Sequence, residues 1–225
     1  MFTYKIKNRN FLKDKDLLIK IKLMNMKRED KLILGICGSP RSATTEYVLK
    51  EALKKLNENN FKTEFFGVRG KKIGYCFHCD YCLENKECIN KDDMEEFYNL
   101  MKKADGIIIA SPIHSGGISA QLKSVMDRTR ALKAIDYNLL RGKIGMSIAI
   151  GGDRCGGQEL AIQEINTYYM IHGILPISGG PFGSNIGSCF WSQDSLEETK
   201  KDEYGFETLN RTLNEFMKAL DKYID

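Results

Sequence analysis

At 225 residues, with 42% hydrophobic and 28% charged side chains, the chain has the composition of an ordinary globular protein large enough to bury a core. Its net charge of +4 is concentrated at the start: residues 1–30 hold nine Lys/Arg against four Asp/Glu (+5), so residues 31–225 carry −1 and offer no basic footprint for nucleic acid. No apolar run approaches the roughly 18 residues of a membrane span, and no apolar leader with a cleavage site is visible, so a cytoplasmic protein with reduced thiols is expected.

Residues 1–30 read as an N-terminal extension, either a solvated, disordered arm or the result of a mis-assigned start ahead of Met24 or Met26. From residue 31 strands and helices alternate. "KLILGICG" (31–38) is a buried strand ending in glycine, and a helix follows in which Val48, Leu49, Ala52, Leu53 and Leu56 recur at helical spacing. "FKTEFFGV" (61–68) is a second strand, and Met94, Phe97, Tyr98 and Met101 mark a helix starting near Asp92 and Asp93, where acidic residues favour a helix N-terminus. "DGIIIA" (105–110) is a third strand, followed by a helix from Ile118 to about Ala131; "KIGMSIAI" (143–150) is a fourth. A helix over 158–172, a fifth strand "GILPIS" (173–178) and an amphipathic helix carrying Phe206, Leu209, Leu213, Phe216 and Leu220 complete the series. Residues 179–201 read as loop. This rhythm predicts one α/β domain over 31–225, a doubly wound five-stranded parallel sheet.

In such sheets ligands sit at the carboxyl ends of the strands, so the loops there are the place to look for function. The first, "GSPRSATTEYVL" (38–49), offers the hydroxyls of Ser39, Ser42, Thr44 and Thr45, the charge of Arg41 and the free N–H groups of a helix start, a set suited to a terminal phosphate. It lacks both the GK[ST] ending of a P-loop and the glycine pattern of a dinucleotide turn. The second, "SPIHSGGISAQLKSVMDR" (111–128), turns at Pro112, Ile113, His114 and Ser115, with Gly116 and Gly117 allowing close backbone approach to a flat ligand. The third, "GGDRCGGQEL" (151–160), presents Gly152, Asp153, Arg154 and Gly157 to the same region.

"GYCFHCDYCLENKEC" (74–88) stands outside the alternation and holds Cys76, Cys79, Cys82 and Cys88. Disulfides are disfavoured in a reducing compartment. A CX2CX2C run with a fourth cysteine close behind can wrap one 4Fe-4S cluster, whereas structural zinc more often takes two well-separated pairs; spacing favours the cluster and leaves zinc open. His78 reads as a neighbour of the site, Cys37 as a buried apolar residue and Cys155 as a bystander, while Cys189 is assigned no role.

The chain from about Lys31 to Ile177 resembles the NAD(P)H-dependent FMN reductase branch of the flavodoxin-like superfamily, on the segments "GSPR", "DGIIIASPIHSGGISAQLKSVMDR" and "GGDRCGGQE". "CFHCDYCLENKECINKDDMEEF" further resembles the iron–sulfur flavoproteins of anaerobic archaea and bacteria. The resemblance implies FMN and a 4Fe-4S cluster as cofactors, the cluster in loop 74–90, and electron transfer between the two with no side chain required as acid or base. It also implies ferredoxin or a similar electron donor, a small-molecule acceptor such as oxygen or peroxide, and a homodimer or homotetramer with the cluster of one subunit near the FMN of another. The family commonly has an aromatic residue where this chain has His114. Two other readings stay open: an NAD(P)H-dependent FMN or quinone reductase with a four-cysteine zinc loop, and a non-catalytic electron carrier or redox sensor.

Overall fold

Three strands have no polar face at all. Strand β1 (Leu32–Cys37) is buried from Ile33 onward, and every residue of β3 (Gly106–Pro112) and β4 (Ile144–Gly151) is buried. Continuous apolar runs of this kind require cover on both sides, and the helices supply it. In the computed structural model, which describes residues 27–224, β1, β3 and β4 form the centre of a parallel sheet with β2 (Lys62–Gly67) and β5 (Leu175–Ile177) in the order β2-β1-β3-β4-β5.

One face is covered by α3 (Met94–Lys103), α4 (Ala120–Arg128) and α6 (Gln158–His172), which bury Phe97, Leu122, Ile165 and Tyr169 against Leu34, Ile36, Ile107 and Ile109. The other is covered by α1 (Thr44–Glu58) and α8 (Glu203–Tyr223), which pack Leu49, Leu53, Leu213 and Phe216 on Ile33, Ile108 and Ile148. At Gly106 the approach is so close that an added Cβ would lie 2.7 Å from Ile33 and 2.8 Å from the Phe216 ring, which is why β3 begins with glycine. Residues 1–26 and the expected start at Met24 or Met26 lie outside the described residues. Residues 27–29 form a helical turn, and Arg28 pairs with Asp221 on α8 (2.6 Å).

Two features differ from the sequence-based expectation. Residues 179–201 are not loop throughout: β6 (Ser188–Trp191) pairs in parallel with Ile148–Gly151 of β4, and α7 (Leu196–Lys201) follows. The fifth position of the sheet is therefore shared, with β5 beside Ile144–Met146 and β6 continuing along the same side. Asp202 joins this segment to α8, accepting from the N–H of Trp191 (2.8 Å) and of Gly205 (2.9 Å). The helix expected from Ile118 to Ala131 is instead two: α4 ends at Arg128, Thr129 interrupts the helical pattern, and α5 (Arg130–Ile135) follows.

Candidate functional site

The sheet register brings the three suspected loops to one edge, because Cys37 lies opposite Ala110 and Pro112 opposite Ile150. The strand order reverses between β1 and β3, where an open α/β sheet leaves a crevice. Ser119 ties the first two loops together: its Oγ donates to Gly38 O (2.6 Å) and accepts from Leu122 N (3.1 Å), capping α4. The second and third loops touch at Gly157, whose left-handed φ of 108° and position leave no room for a side chain; a Cβ would lie 2.4 Å from Gly116 O. Gly116 itself (φ 83°) faces open space.

In the first loop neither threonine caps α1. The cap position is Ala43, which supplies no side-chain hydrogen bond, so the first N–H groups of the helix are left for another acceptor. Arg41 and Ser42 are exposed, Thr44 is half-buried and Thr45 buried. The Ser39 hydroxyl accepts from Arg41 N (3.1 Å) and donates to Arg41 O (2.9 Å), shaping the turn. Glu46, in the first turn, is held below the usual carboxylate range by a hydrogen bond from Lys50 (2.6 Å), with Arg69 3.6 Å away. Pro112 is the buried end of β3, and Ile113 N donates to Ile150 O (3.0 Å). His114, Ser115, Asp153 and Arg154 are exposed and Gly152 half-buried beside Asp194. These loops fit a phosphate on one side and a flat ring on the other: unpaired N–H groups, hydroxyls and an arginine at α1, and glycine backbone with open space at Gly116.

The cysteine loop is mostly exposed and almost without regular structure, apart from α2 (Tyr81–Asn85). Each interval between consecutive cysteines contains one non-glycine residue with left-handed backbone: His78 (φ 55°), Asp80 (φ 58°) and Lys86 (φ 60°). These reversals coil the chain so that Cys76, Cys79, Cys82 and Cys88, all unpaired, line a single cavity. Cys82 and Cys88 pack against Ala131 and Ala134 of α5. As placed, no group of three or more ligating side chains among the described residues stands close enough to hold a metal ion. The donor set is nonetheless that of a tetrathiolate site, which suits a 4Fe-4S cluster or zinc.

What holds the loop was not expected from the sequence. Arg128, 2% exposed, donates from both Nη atoms to Asp92 (2.6 and 2.9 Å) and to the carbonyls of Gly74 (3.0 Å) and Asn90 (3.1 Å), joining the two ends of the loop. Asp92 also accepts from Gly74 N (3.1 Å) and Met94 N (3.2 Å). Burial raises the Asp92 pKa, but the Arg128 and backbone hydrogen bonds outweigh it and hold the carboxyl below its ordinary value. Asp93 accepts from Lys72 N (2.6 Å), so the acidic pair read as a helix start also anchors the loop. Arg130 pairs with Asp80 inside the motif. No local signal marks Arg128 or Arg130; their partners are 36 and 50 residues away.

A cleft of about 1000 Å³ between α4 and α6 borders both regions: Cys76 and His78 line it, as do Ser115, Gly116 and Gly117. Arg130 and the buried His172 also line it, and His172 Nε2 lies 3.1 Å from Thr129 Oγ1. Burial, then Lys133, lowers the His172 pKa to about 4, so its ring is neutral near pH 7. On the other side of the third loop, Cys155, Cys189, Trp191 and Tyr204 line a further cavity. Cys189 lies on β6, with its thiol pushed up to about 11 by burial, as is that of Cys37 in β1.

A parallel sheet in this order, with its strand-end loops gathered at the carboxyl edge, defines a flavodoxin-like protein. A solved flavodoxin, a WrbA-like protein from Agrobacterium tumefaciens, superposes with a TM-score of 0.54 at 15% identity, covering 83% of this chain and 99% of that one. The NADPH-dependent FMN reductase model matches residues 32–187. An iron–sulfur flavoprotein of Archaeoglobus fulgidus is 59% identical over 191 residues, 85% of this chain and 98% of that protein. Another, of Methanocaldococcus jannaschii, is 46% identical over 190 residues, 84% and 96% of the respective chains. The chain belongs to the iron–sulfur flavoproteins of the NADPH-dependent FMN reductase family, and it is a flavin-dependent oxidoreductase with FMN as its flavin.

Proposed function

We propose that the protein moves electrons between a 4Fe-4S cluster held by Cys76, Cys79, Cys82 and Cys88 and FMN held at the three strand-end loops. The observation that carries this is the shared cleft: Cys76 and His78 of the cysteine motif line it together with Ser115, Gly116 and Gly117 of the second strand-end loop, which this reading assigns to the flavin ring. When bound, FMN exchanges one or two electrons and the cluster one, so together they split or merge electron pairs.

The chain's own contribution is binding and orientation. Arg41, Ser42 and Thr44, with the open N–H groups of α1, hold the FMN phosphate, while Ser39 shapes their turn and the buried Thr45 packs beneath it. Pro112 to Gly116 and Gly152, Asp153, Arg154 and Gly157 border the ring, with the contact between Gly157 and Gly116 setting the distance between the two loops. His114, exposed at the head of its loop, offers an imidazole ring at this border. The three left-handed turns bring the thiols to one cavity, and Arg128 closes the loop behind them.

Ferredoxin or a similar one-electron protein is the donor in this reading, and a small molecule such as oxygen or peroxide is the acceptor. The protein works as a homodimer or homotetramer in the cytoplasm. No helix among the described residues is long and apolar enough to cross a membrane. Anaerobic purification with determination of iron, sulfide, zinc and flavin tests the cofactors: about four irons and four sulfides per chain with bound FMN is expected, and zinc in place of iron overturns the cluster. Stopped-flow mixing with reduced ferredoxin and then with oxygen or peroxide tests the direction of flow.

A further inference from the structure

Among the described residues, three buried side-chain nitrogens lack a hydrogen-bond partner: Nε of Arg128, Nε of Arg130 and Nδ1 of His172. The first two belong to residues that line the four-cysteine cavity. Buried donors are rarely left without an acceptor, since desolvation is then uncompensated. The two guanidinium groups share one pattern. The Nη atoms of Arg128 are occupied by Asp92, Gly74 O and Asn90 O, and Nη2 of Arg130 by Asp80, all within or at the ends of the cysteine loop. Each arginine thus fastens the loop through its terminal nitrogens and leaves its Nε–H without an acceptor, on a side chain that lines the four-cysteine cavity.

We propose that Arg128 and Arg130 donate these Nε–H groups to sulfur atoms of the cluster and so raise its reduction potential. The inference rests on the cluster reading above. One-electron reduction adds a negative charge to the irons and sulfurs, and N–H donors on cationic side chains stabilise the more negative state. Arg130 borders both the cysteine cavity and the cleft that reaches Ser115–Gly117.

The test uses the anaerobically purified full-length protein with cluster and FMN in place. EPR-monitored redox titration is performed on wild type, Arg130→Lys, Arg130→Gln and Arg128→Lys. The lysine variants keep the charge but lack the Nε–H at that position. Arg130→Lys is expected to change the ratio of oxidised to reduced cluster about tenfold at fixed potential, a lowering of about 59 mV for a one-electron couple. Arg130→Gln is expected to lower it further, with the flavin potential shifted less in both. Fe–S stretching frequencies in resonance Raman spectra are expected to shift on deuteration in wild type and less so in Arg130→Lys. Should Arg128→Lys fail to load iron, the Arg130 pair decides alone. A cluster potential in Arg130→Lys equal to that of wild type overturns the hydrogen bond. A wild-type protein that takes up FMN but no cluster on reconstitution overturns the function proposed above and this inference with it.

Discussion

The sheet and the cysteine loop are held together by opposite means. The sheet buries β3 and β4 completely between two helical layers, so its stability is spread over many apolar contacts and no one side chain is decisive for its existence. Loop 74–90 buries little; its order depends on a buried ion pair between Arg128 and Asp92, a second pair between Arg130 and Asp80, and three left-handed residues. A region of the first kind responds to mutation in proportion to volume removed, whereas one of the second kind fails at single points.

That contrast can be tested by substitutions on each side. The largest effect is expected from Cys82→Ser, which removes the most buried thiol of the motif; iron and sulfide content should fall to near zero while FMN binding and far-ultraviolet circular dichroism stay as in wild type. Phe216→Ala, in the layer pressed on Gly106, should lower global stability by about 3–5 kcal/mol in denaturant titration. Cluster content at low temperature should hardly change. Asp92→Ala leaves Arg128 buried without its counter-ion, a local cost of about 2–4 kcal/mol given that Asp92 keeps some contact with water. Hydrogen exchange should accelerate at Gly74 and Met94 with little change in the midpoint of global unfolding, and an equal loss of protection throughout the sheet would break the distinction. Gly157→Ala should strain the junction of the second and third loops by about 1–3 kcal/mol and weaken FMN roughly tenfold or more by fluorescence titration, leaving iron content intact.

Smaller effects of opposite location follow from pH. The depressed Asp92 carboxyl stabilises the folded loop above the ordinary aspartate range, and that contribution is lost as pH falls through its folded pKa. The loss should appear as faster exchange confined to 74–92. His172 acts on the helical layer instead. Its folded pKa, near 4 against an ordinary 6.5, means that the unfolded chain takes up a proton the folded one refuses, so global stability should decline as pH drops from 6.5 towards 4. His172→Asn should flatten that decline, as thermal unfolding across this window would show.

The same division governs what the sequence discloses. Runs such as "DGIIIA" and "KIGMSIAI" announce themselves because burial on both faces leaves no other composition possible, and the helix carrying Phe206 to Leu220 does so by its period. The four-residue β6 gives no such signal: it is too short to show a period and follows a segment rich in glycine and serine, and its existence depends on β4 having an unpaired half. The break at Thr129 is equally silent locally, because no glycine or proline marks it, and the packing of α5 on the cysteine loop is a contact between distant positions. At the site, cysteine spacing and strand-end glycines are local patterns and were legible. The roles of Asp92, Arg128 and Arg130 are contacts between distant positions, which one sequence does not pair.

The divided fifth position of the sheet bears on aggregation. A parallel sheet ends in two rows of unpaired N–H and C=O groups, each a template for another chain. Here one margin is β2, where Lys62 and Glu64 are exposed, and the other is broken into a three-residue and a four-residue piece with the chain between them leading away. Neither margin presents a long, flat, uncharged ladder. Copies of this protein that meet at the high concentrations of a crowded cell have little to zip onto, and contacts between them are left to helices and loops.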